Sequence, residues 1–169
     1  FRDMIKVPPM NVTTTVPEYV ADAKGALFLN ENSRTVIDIG GNIDKAVRFD
    51  QKGTLLDVIQ NDKCADGLGI FYTSMAKALG VSEQELSELA LQSTQHVSVA
   101  ITCTASAESE AIDLMYQGID IADVADAISR FIVERVAAMC TSITLEQEIV
   151  VAGGLAKSKA VMKHFPDLL

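Results

Sequence analysis

The chain has 169 residues, 49% of them hydrophobic and 22% charged, a composition that excludes an intrinsically disordered segment and suffices for one domain with a buried core. Its formal net charge of −9 argues against nucleic acid and against an anionic membrane surface, because both are bound through clustered Lys and Arg. No apolar run reaches the ~18 residues that a membrane span needs. An odd count of three cysteines favours a reducing compartment over a disulfide framework, so we expect a cytoplasmic protein.

The first third of the chain predicts an extended segment, one helix and three strands. Residues 1–17 predict a connector or a strand remnant, since their prolines block a helix. Residues 18–29 predict a short helix. Three apolar or alternating segments then predict β-strands: residues 34–41, 44–50 and 54–60. Because the turn at Gly53 joins the last two strands as a hairpin, we expect a sheet that is at least partly antiparallel.

From Lys63 onward the apolar spacing is that of helices. Four helices are predicted, each from an apolar stripe with a cap or a terminal glycine: one that begins after Cys64 and is stopped by Gly80, one with a Ser82 and Glu85 capping box, one over 108–118 and one over about 120–143. Residues 148–165 predict a strand, a Gly-Gly turn and a helix. This order fits a mixed α/β domain with helices packed on a sheet. The sequence stops soon after the last helix begins, so we expect a part of a longer protein.

Two of the predicted strands end in paired glycines, at 40–41 and at 153–154. Glycine lets backbone N–H groups approach a phosphate or a base, and a following helix N-terminus adds partial positive charge. Asp38 precedes the first pair and could hold Mg²⁺ through water, and Lys157 follows the second pair on the predicted helix. Neither turn matches the P-loop or the G-x-G-x-x-G pattern, and a simple tight turn is the alternative for each.

Two cysteines, Cys64 and Cys103, each precede a predicted helix and are followed by small residues. A helix N-terminus stabilises a thiolate and a negatively charged cluster. Because a four-iron cluster needs about four thiolates, two cysteines in each chain predict a cluster on the twofold axis of a dimer. A zinc site that also uses His96 is an alternative, whereas Cys140 is predicted to be a packing residue and His164 to face solvent.

Four segments carry a resemblance to a known family: VIDIGGNIDK, NDKCADGLGIFYTSMAKALGV, SVAITCTASAESEAI and VVAGGLAKSKAV. In this order they resemble the BadF/BadG/BcrA/BcrD ATPase family, which includes the activators of 2-hydroxyacyl-CoA dehydratases and the ATPase subunits of benzoyl-CoA reductase. The resemblance runs from about Glu18 to the C-terminus. It implies the actin/sugar kinase/Hsp70-type ATPase fold, with one subdomain largely present and the N-terminal half missing. Residues 18–169 would form an ATPase-fold domain whose helical cluster-binding insert covers about 64–143.

The resemblance also implies the site residues and the cofactors. Cys64 and Cys103 would be ligands of a [4Fe–4S] cluster that bridges two subunits, whose opening is coupled to the nucleotide state. ATP or ADP with Mg²⁺ would bind at two motifs: a second phosphate motif of Asp38, Gly40, Gly41 and Asn42, and an adenosine motif of Gly153, Gly154 and Lys157.

The activity implied is ATP-driven delivery of a low-potential electron to a partner enzyme that reduces a CoA thioester. That partner would be a dehydratase or a reductase, the donor would be reduced ferredoxin or flavodoxin, and the activator would be a cytoplasmic homodimer. No residue of this chain is assigned a catalytic role.

The chain departs from the family pattern at three places. Asn42 replaces a usual Gln and is followed by Ile43 where a short polar residue is expected, and Asp66 with Leu68 replaces the common Ala and Thr. The first phosphate loop is absent, since residues 11–17 have the hydroxyls but lack its Asp and Gly. Two alternatives therefore remain: a non-catalytic iron–sulfur or scaffold domain with a degenerate nucleotide site, and a sugar-kinase-type enzyme with incidental cysteines.

Overall fold

The computed structural model describes residues 15–61, 67–99 and 104–167. The elements follow each other in the order α1 (Glu18–Leu29), β1 (Thr35–Ile39), β2 (Asp44–Phe49), β3 (Leu55–Gln60), α2 (Leu68–Ala78), α3 (Glu83–Ala90), α4 (Thr104–Tyr116), α5 (Ile121–Cys140), β4 (Ile149–Ala152) and α6 (Lys159–His164). Two short 3₁₀ turns, Gly154–Lys157 and Phe165–Asp167, flank α6. Within these ranges no helix is both long and apolar enough to cross a membrane.

The described strands form one mixed sheet with the order β3-β2-β1-β4. The pairs β1–β2 and β2–β3 are antiparallel, as the predicted hairpin requires, and β4 lies parallel to β1. A parallel neighbour needs a crossover connection, which the helical segment α2–α5 supplies. The sheet therefore joins a local antiparallel meander to a strand from the far end of the chain.

Strand alternation divides the core between the two faces of the sheet. Val36, Val47 and Phe49 face α1, where they pack with Ala23 and Ala26. Ile37, Ile39 and Ala46 face the opposite side and pack against the buried stripes of α2, α5 and α6. The helices thus cover both faces, as expected for a mixed α/β domain.

The predicted capping box is present, and two helix ends differ from their predicted bounds. Ser82 and Glu85 form the reciprocal capping box at the start of α3. Helix α4 begins at Thr104, earlier than the polar run over 108–110 had suggested, and α5 ends at Cys140 instead of about Ile143. The Thr141 hydroxyl donates to the Ala138 carbonyl at 2.8 Å and so competes with helix continuation at that end.

Lys157 lies on the 3₁₀ turn Gly154–Lys157 and not on the last helix, so the predicted single helix after the second glycine pair is wrong. The cause is Ser158, which has extended backbone angles and accepts a hydrogen bond from the Val161 N–H, so that it caps a new helix. Helix α6 starts only at Lys159.

Candidate functional site

The two Gly-Gly turns lie side by side. β1 and β4 are parallel neighbours in which Asp38 is paired with Ala152, so both strands end at the same edge of the sheet. A Cβ placed on Gly153 would lie 2.3 Å from the Ile39 carbonyl oxygen and 2.5 Å from Asp38 Oδ1. Gly153 also has a φ of +89°, a backbone angle that residues with a side chain rarely adopt. Ligands of open α/β sheets bind in the crevice at this edge.

Two separate cavities lie beside the two turns, one at each. The β1-side cavity, of about 580 Å³, is lined by Glu18, Asp38, Gly40, Gly41, Asn42, Ile43 and Ile70. The β4-side cavity, of about 440 Å³, lies between α3 and the second turn, and its lining includes Tyr72, Ser87, Gly154, Lys157, Ser158 and Lys159. Each volume is within the range of small-molecule sites. The four residues of the first motif line the β1-side cavity, Gly154 and Lys157 line the β4-side cavity, and Gly153 lies between them against Asp38 and Ile39.

Asp38 is held in an ion pair by Lys45, which sequence reasoning did not single out. Lys45 Nζ lies 2.7 Å from Asp38 Oδ2, 3.1 Å from Glu18 Oε1 and 3.2 Å from Asp22 Oδ2, and its side chain is only 4% exposed. Burial alone lowers the pKa of Lys45, but the hydrogen bonds with Asp38 and Glu18 outweigh it and raise the pKa. Burial also raises the pKa of Asp22 despite Lys45. Lys45 therefore stays protonated and orients the Asp38 carboxylate.

The opposite face of β2 carries a buried carboxylate, that of Asp44. Its Oδ2 accepts a hydrogen bond from the Leu68 N–H at 3.0 Å, so this side chain serves the N-terminus of α2. Burial raises the pKa of Asp44, while the bond from Leu68 acts in the opposite direction. The hairpin register could have indicated both roles, because neighbouring strand residues point to opposite faces.

A buried hydroxyl network supports the β4-side cavity. Tyr72 Oη lies 3.3 Å from Ser158 Oγ, which donates to Ser87 Oγ at 3.1 Å, and Ser87 Oγ also accepts from the Ala160 N–H at 3.2 Å. Burial raises the pKa of the Tyr72 hydroxyl, which therefore stays protonated. The network ties α2, α3 and α6 together behind the 3₁₀ turn that carries Lys157. None of these three side chains was identified from the sequence.

Cys64 and Cys103 lie outside the described residues. What the structure describes is the start of the helices that follow them: Gly67 caps α2, α4 begins at Thr104, and α2 packs against α4. Two thiols placed before two neighbouring helices fit a negatively charged cluster, because helix N-termini carry partial positive charge. Cys140 is a buried free thiol whose pKa burial raises to about 11, in agreement with a packing role.

One of the two histidines behaves differently from the expectation, while the zinc alternative with His96 stays a prediction because it also needs Cys103, which lies outside the described residues. In the described ranges, no three His, Cys, Asp or Glu side chains converge on a possible metal position, and His96 Nδ1 lies 2.7 Å from an Arg130 guanidinium nitrogen. His164 was predicted to face solvent, and this is wrong: it is buried, with Nε2 2.9 Å from Asp126 Oδ1. The reason is that α6 packs this side against α5.

Comparison with known proteins agrees with this architecture. The profile of the BadF/BadG/BcrA/BcrD ATPase family matches residues 3–169. The chain is 38% identical over 144 residues to the (R)-2-hydroxyglutaryl-CoA dehydratase activating ATPase of Acidaminococcus fermentans, a match that covers 85% of this chain and 55% of that protein. It is 36% identical over 154 residues to the activator of lactoyl-CoA dehydratase of Anaerotignum propionicum, which covers 91% of this chain and 60% of that protein.

A solved structure shows the same likeness. The activator of the 2-hydroxyisocaproyl-CoA dehydratase from Clostridium difficile with bound ADPNP superposes with a TM-score of 0.87 at 32% identity, over 94% of this chain and 59% of that one. The predicted α/β fold of the actin-like ATPases is thereby confirmed. The chain spans between one half and two thirds of the length of these relatives. It belongs to the BadF/BadG/BcrA/BcrD ATPase family.

Proposed function

We propose that this chain carries the nucleotide crevice and the cluster ligands of an ATP-dependent activator, which delivers low-potential electrons to a CoA-thioester dehydratase or reductase. The observation that carries the proposal is the close contact of Gly153 with Asp38 and Ile39, which brings the turn after β4 to the carboxyl end of β1, where the first Gly-Gly turn begins. The names of the relatives support the acceptor class, since two of them are activators of dehydratases that act on a 2-hydroxyglutaryl-CoA or a lactoyl-CoA.

The residues around the crevice fit a nucleotide. The backbone N–H groups of Gly40, Gly41 and Asn42 would face the phosphates, and Gly153 and Gly154 with Lys157 would hold the nucleoside. Gly153 keeps open a space beside Asp38 and Ile39 that the Cβ of any other residue would occupy. Asp38, whose side chain is 14% exposed, would hold Mg²⁺ through water. ATP would supply the free energy of the electron transfer by hydrolysis of its terminal phosphate.

Lys45 positions Asp38 for this task. Glu18 and Asp22 on α1 bind the ammonium from one side and Asp38 binds it from the other, so the Lys45 side chain is fixed in place beside Asp38. It balances the carboxylate while no cation is near. A divalent cation that arrives with the nucleotide would take over this role.

The helical segment between the two turns would hold the cluster. Cys64 and Cys103 of two subunits would provide four thiolates for a [4Fe–4S] cluster, which supplies a one-electron carrier when bound. The activator would be a cytoplasmic homodimer with reduced ferredoxin or flavodoxin as donor. Residues 18–169 would be the ATPase-fold domain, with the insert over about 64–143 and a connector in 1–17.

The nucleotide part is tested by calorimetric titration of the full-length protein with ADP and Mg²⁺. Asp38→Ala is expected to weaken binding by about tenfold or more, since it removes the carboxylate that faces the phosphates. Asp57→Ala is the matched control, because Asp57 is an exposed carboxylate on the outer strand β3. Equal affinities in the two variants, or no binding by the unmodified protein, would contradict the proposed site.

The cluster part is tested by iron and sulfide analysis of anaerobically purified protein together with its mass in solution. We expect about four irons for each two chains and a dimer mass. Cys64→Ser and Cys103→Ser should lose the iron, whereas Cys140→Ala should keep it because that thiol is buried in the core. Iron that survives both serine substitutions would remove these cysteines as ligands.

A further inference from the structure

The acidic charge of the chain is concentrated in one stretch of its sequence. Residues 78–129 contain nine Asp and Glu residues and no Lys or Arg, so this stretch alone accounts for the whole formal net charge of −9. It includes α3, α4 and the beginning of α5. Helix α4 itself carries Glu108, Glu110 and Asp113 without a single basic residue.

Helix α4 also exposes large apolar side chains. Ile112, Met115 and Tyr116 are spaced three and four residues apart and so share one side of the helix, where they are 37%, 39% and 88% exposed. A second side of α4 is buried through Ala107 and Ala111, where the helix packs on α2 and α5. Apolar side chains that share an exposed face and are bordered by polar groups mark an interaction surface.

Carboxylates border these apolar side chains. Glu108 precedes Ile112 by four residues and the exposed Asp113 precedes Tyr116 by three, so each carboxylate lies beside an exposed apolar side chain. A second copy of this chain would bring the same carboxylates against each other, and like charges across an interface oppose association. The surface therefore fits a protein patch in which Lys and Arg surround an apolar pocket.

Tyr116 is suited to be the central contact of such a surface. An aromatic ring buries a large area on binding, and Tyr is one of the residue types that contribute most to affinity at interfaces. Helix α1 carries an aromatic side chain of the same exposure, Phe28 at 89%, but there Lys24 lies four residues before it and supplies the opposite charge. The combination of exposed ring and acidic border thus distinguishes α4 from α1.

We propose that the α4 face (Ile112, Met115 and Tyr116 with Glu108 and Asp113) is the docking surface for the electron-accepting dehydratase or reductase, on a patch of that enzyme in which Lys and Arg surround an apolar pocket. The proposal rests on the proposed function, because it takes the acceptor enzyme from there. The names of the relatives support an acceptor as the occupant, since they give a dehydratase as the protein that is activated. Charge attraction would guide the approach, and burial of the apolar side chains would hold the complex.

Docking is tested by the affinity between the full-length, anaerobically prepared protein and the acceptor enzyme that it activates in an ATP-dependent assay. Tyr116→Ala is expected to weaken binding by about tenfold or more, because it removes the largest exposed apolar contact. Asp113→Lys should weaken binding by about threefold or more and make it less sensitive to salt, because it places a cation opposite Lys and Arg. ADP affinity and the melting midpoint should stay unchanged, since no described lining residue of the two cavities at the turns lies on α4.

Two matched controls separate the α4 face from a general surface effect. Phe28→Ala removes an equally exposed ring on α1, and it should keep the acceptor affinity within about twofold of the unmodified protein. Asp57→Lys reverses an exposed carboxylate on β3, and it should also keep the affinity within about twofold.

Unchanged acceptor affinity in Tyr116→Ala, or tighter binding by Asp113→Lys, overturns the docking surface alone. An equal loss in Tyr116→Ala and Phe28→Ala does the same, because the effect would then not belong to α4. Failure of the unmodified protein to activate a CoA-thioester dehydratase or reductase with ATP overturns the proposed function and the docking proposal with it.

Discussion

A single methyl group at Gly153 provides a sharp test of the contact between the turn after β4 and the end of β1. Gly153 has a φ of +89° and a ψ of 179°, a combination that is essentially restricted to glycine and costs another residue about 1–3 kcal/mol. The added Cβ would also lie 2.3 Å from the Ile39 carbonyl oxygen, which belongs to the main chain of β1 and cannot rotate away. Forcing such a methyl into a packed site costs about 1–3 kcal/mol more.

Gly153→Ala is therefore expected to lower the free energy of unfolding by about 2–6 kcal/mol, a large share of the about 5–15 kcal/mol that a domain has. For a chain of this length the midpoint of thermal unfolding should fall by about 5–20 °C. Circular dichroism melting and urea unfolding measure the two quantities. ADP affinity should fall as well, since the methyl projects between Ile39 and Asp38.

Gly154→Ala is the matched control for this experiment. It adds the same methyl to the adjacent residue, where no atom lies within 4 Å of the new Cβ and φ is not positive. Its melting midpoint should stay within about 2 °C of the unmodified protein. Equal melting midpoints in the two variants would show that Gly153 does not lie against the end of β1 in solution, which would contradict the proposed site.

Three further predictions concern buried charges and thiols. Lys45→Met should lower the free energy of urea unfolding by about 1.5–3 kcal/mol, because it removes a buried cation from the partly exposed carboxylates of Asp38 and Asp22. A loss below about 1 kcal/mol would contradict the ion-pair geometry. Burial raises the pKa of the Cys140 thiol from 9.0 to about 11, so its contribution to the free energy of unfolding is complete below pH 9.0 and is lost as pH rises through 11. Between these pH values Cys140→Ala should lose about 2–3 kcal/mol less of its free energy of unfolding than the unmodified protein does. Parallel pH profiles of the two proteins would refute the assignment. Hydrogen bonds from the Gln95 N–H, the Ser93 hydroxyl and the Thr94 N–H lower the pKa of Asp123, so its contribution to the free energy of unfolding is present above pH 3.8 and is lost as pH falls below that value. Asp123→Asn should melt at a lower temperature at pH 7, and its melting temperature should fall less on acidification. An unchanged acid profile would show that Asp123 does not anchor the loop of residues 93–95.

Local patterns predicted most of the elements in the described ranges. The alternation in residues 44–50 and the turn at Gly53 indicated a hairpin, and β2 and β3 form it. The Ser82 and Glu85 spacing indicated a capping box, and both of its hydrogen bonds are present. These features depend on interactions over three to six residues, which a sequence displays directly.

Charged and polar side chains whose partners come from distant elements were harder to interpret. His164 on its short helix between lysine-rich residues suggested a solvent-facing side chain, yet it pairs with Asp126 on α5. The local sequence does not indicate the role of Asp44, because its partner, the Leu68 N–H, follows 24 residues later in the chain. A sequence shows that such a group must find a partner when it is buried but does not say which one it finds.

The sequence by itself determined the order of helices and strands, the two glycine pairs, and the residue types that a nucleotide and a cluster would need. Only the tertiary structure decided that β4 pairs with β1 in parallel, which places Gly153 against Ile39 and Asp38. It also decided that the start of α2 is held by the turn at Gly40 and Gly41. The physical reason is that short-range periodicity reports the face that each element buries, whereas the neighbour on that face is selected by packing and hydrogen bonding across the whole chain.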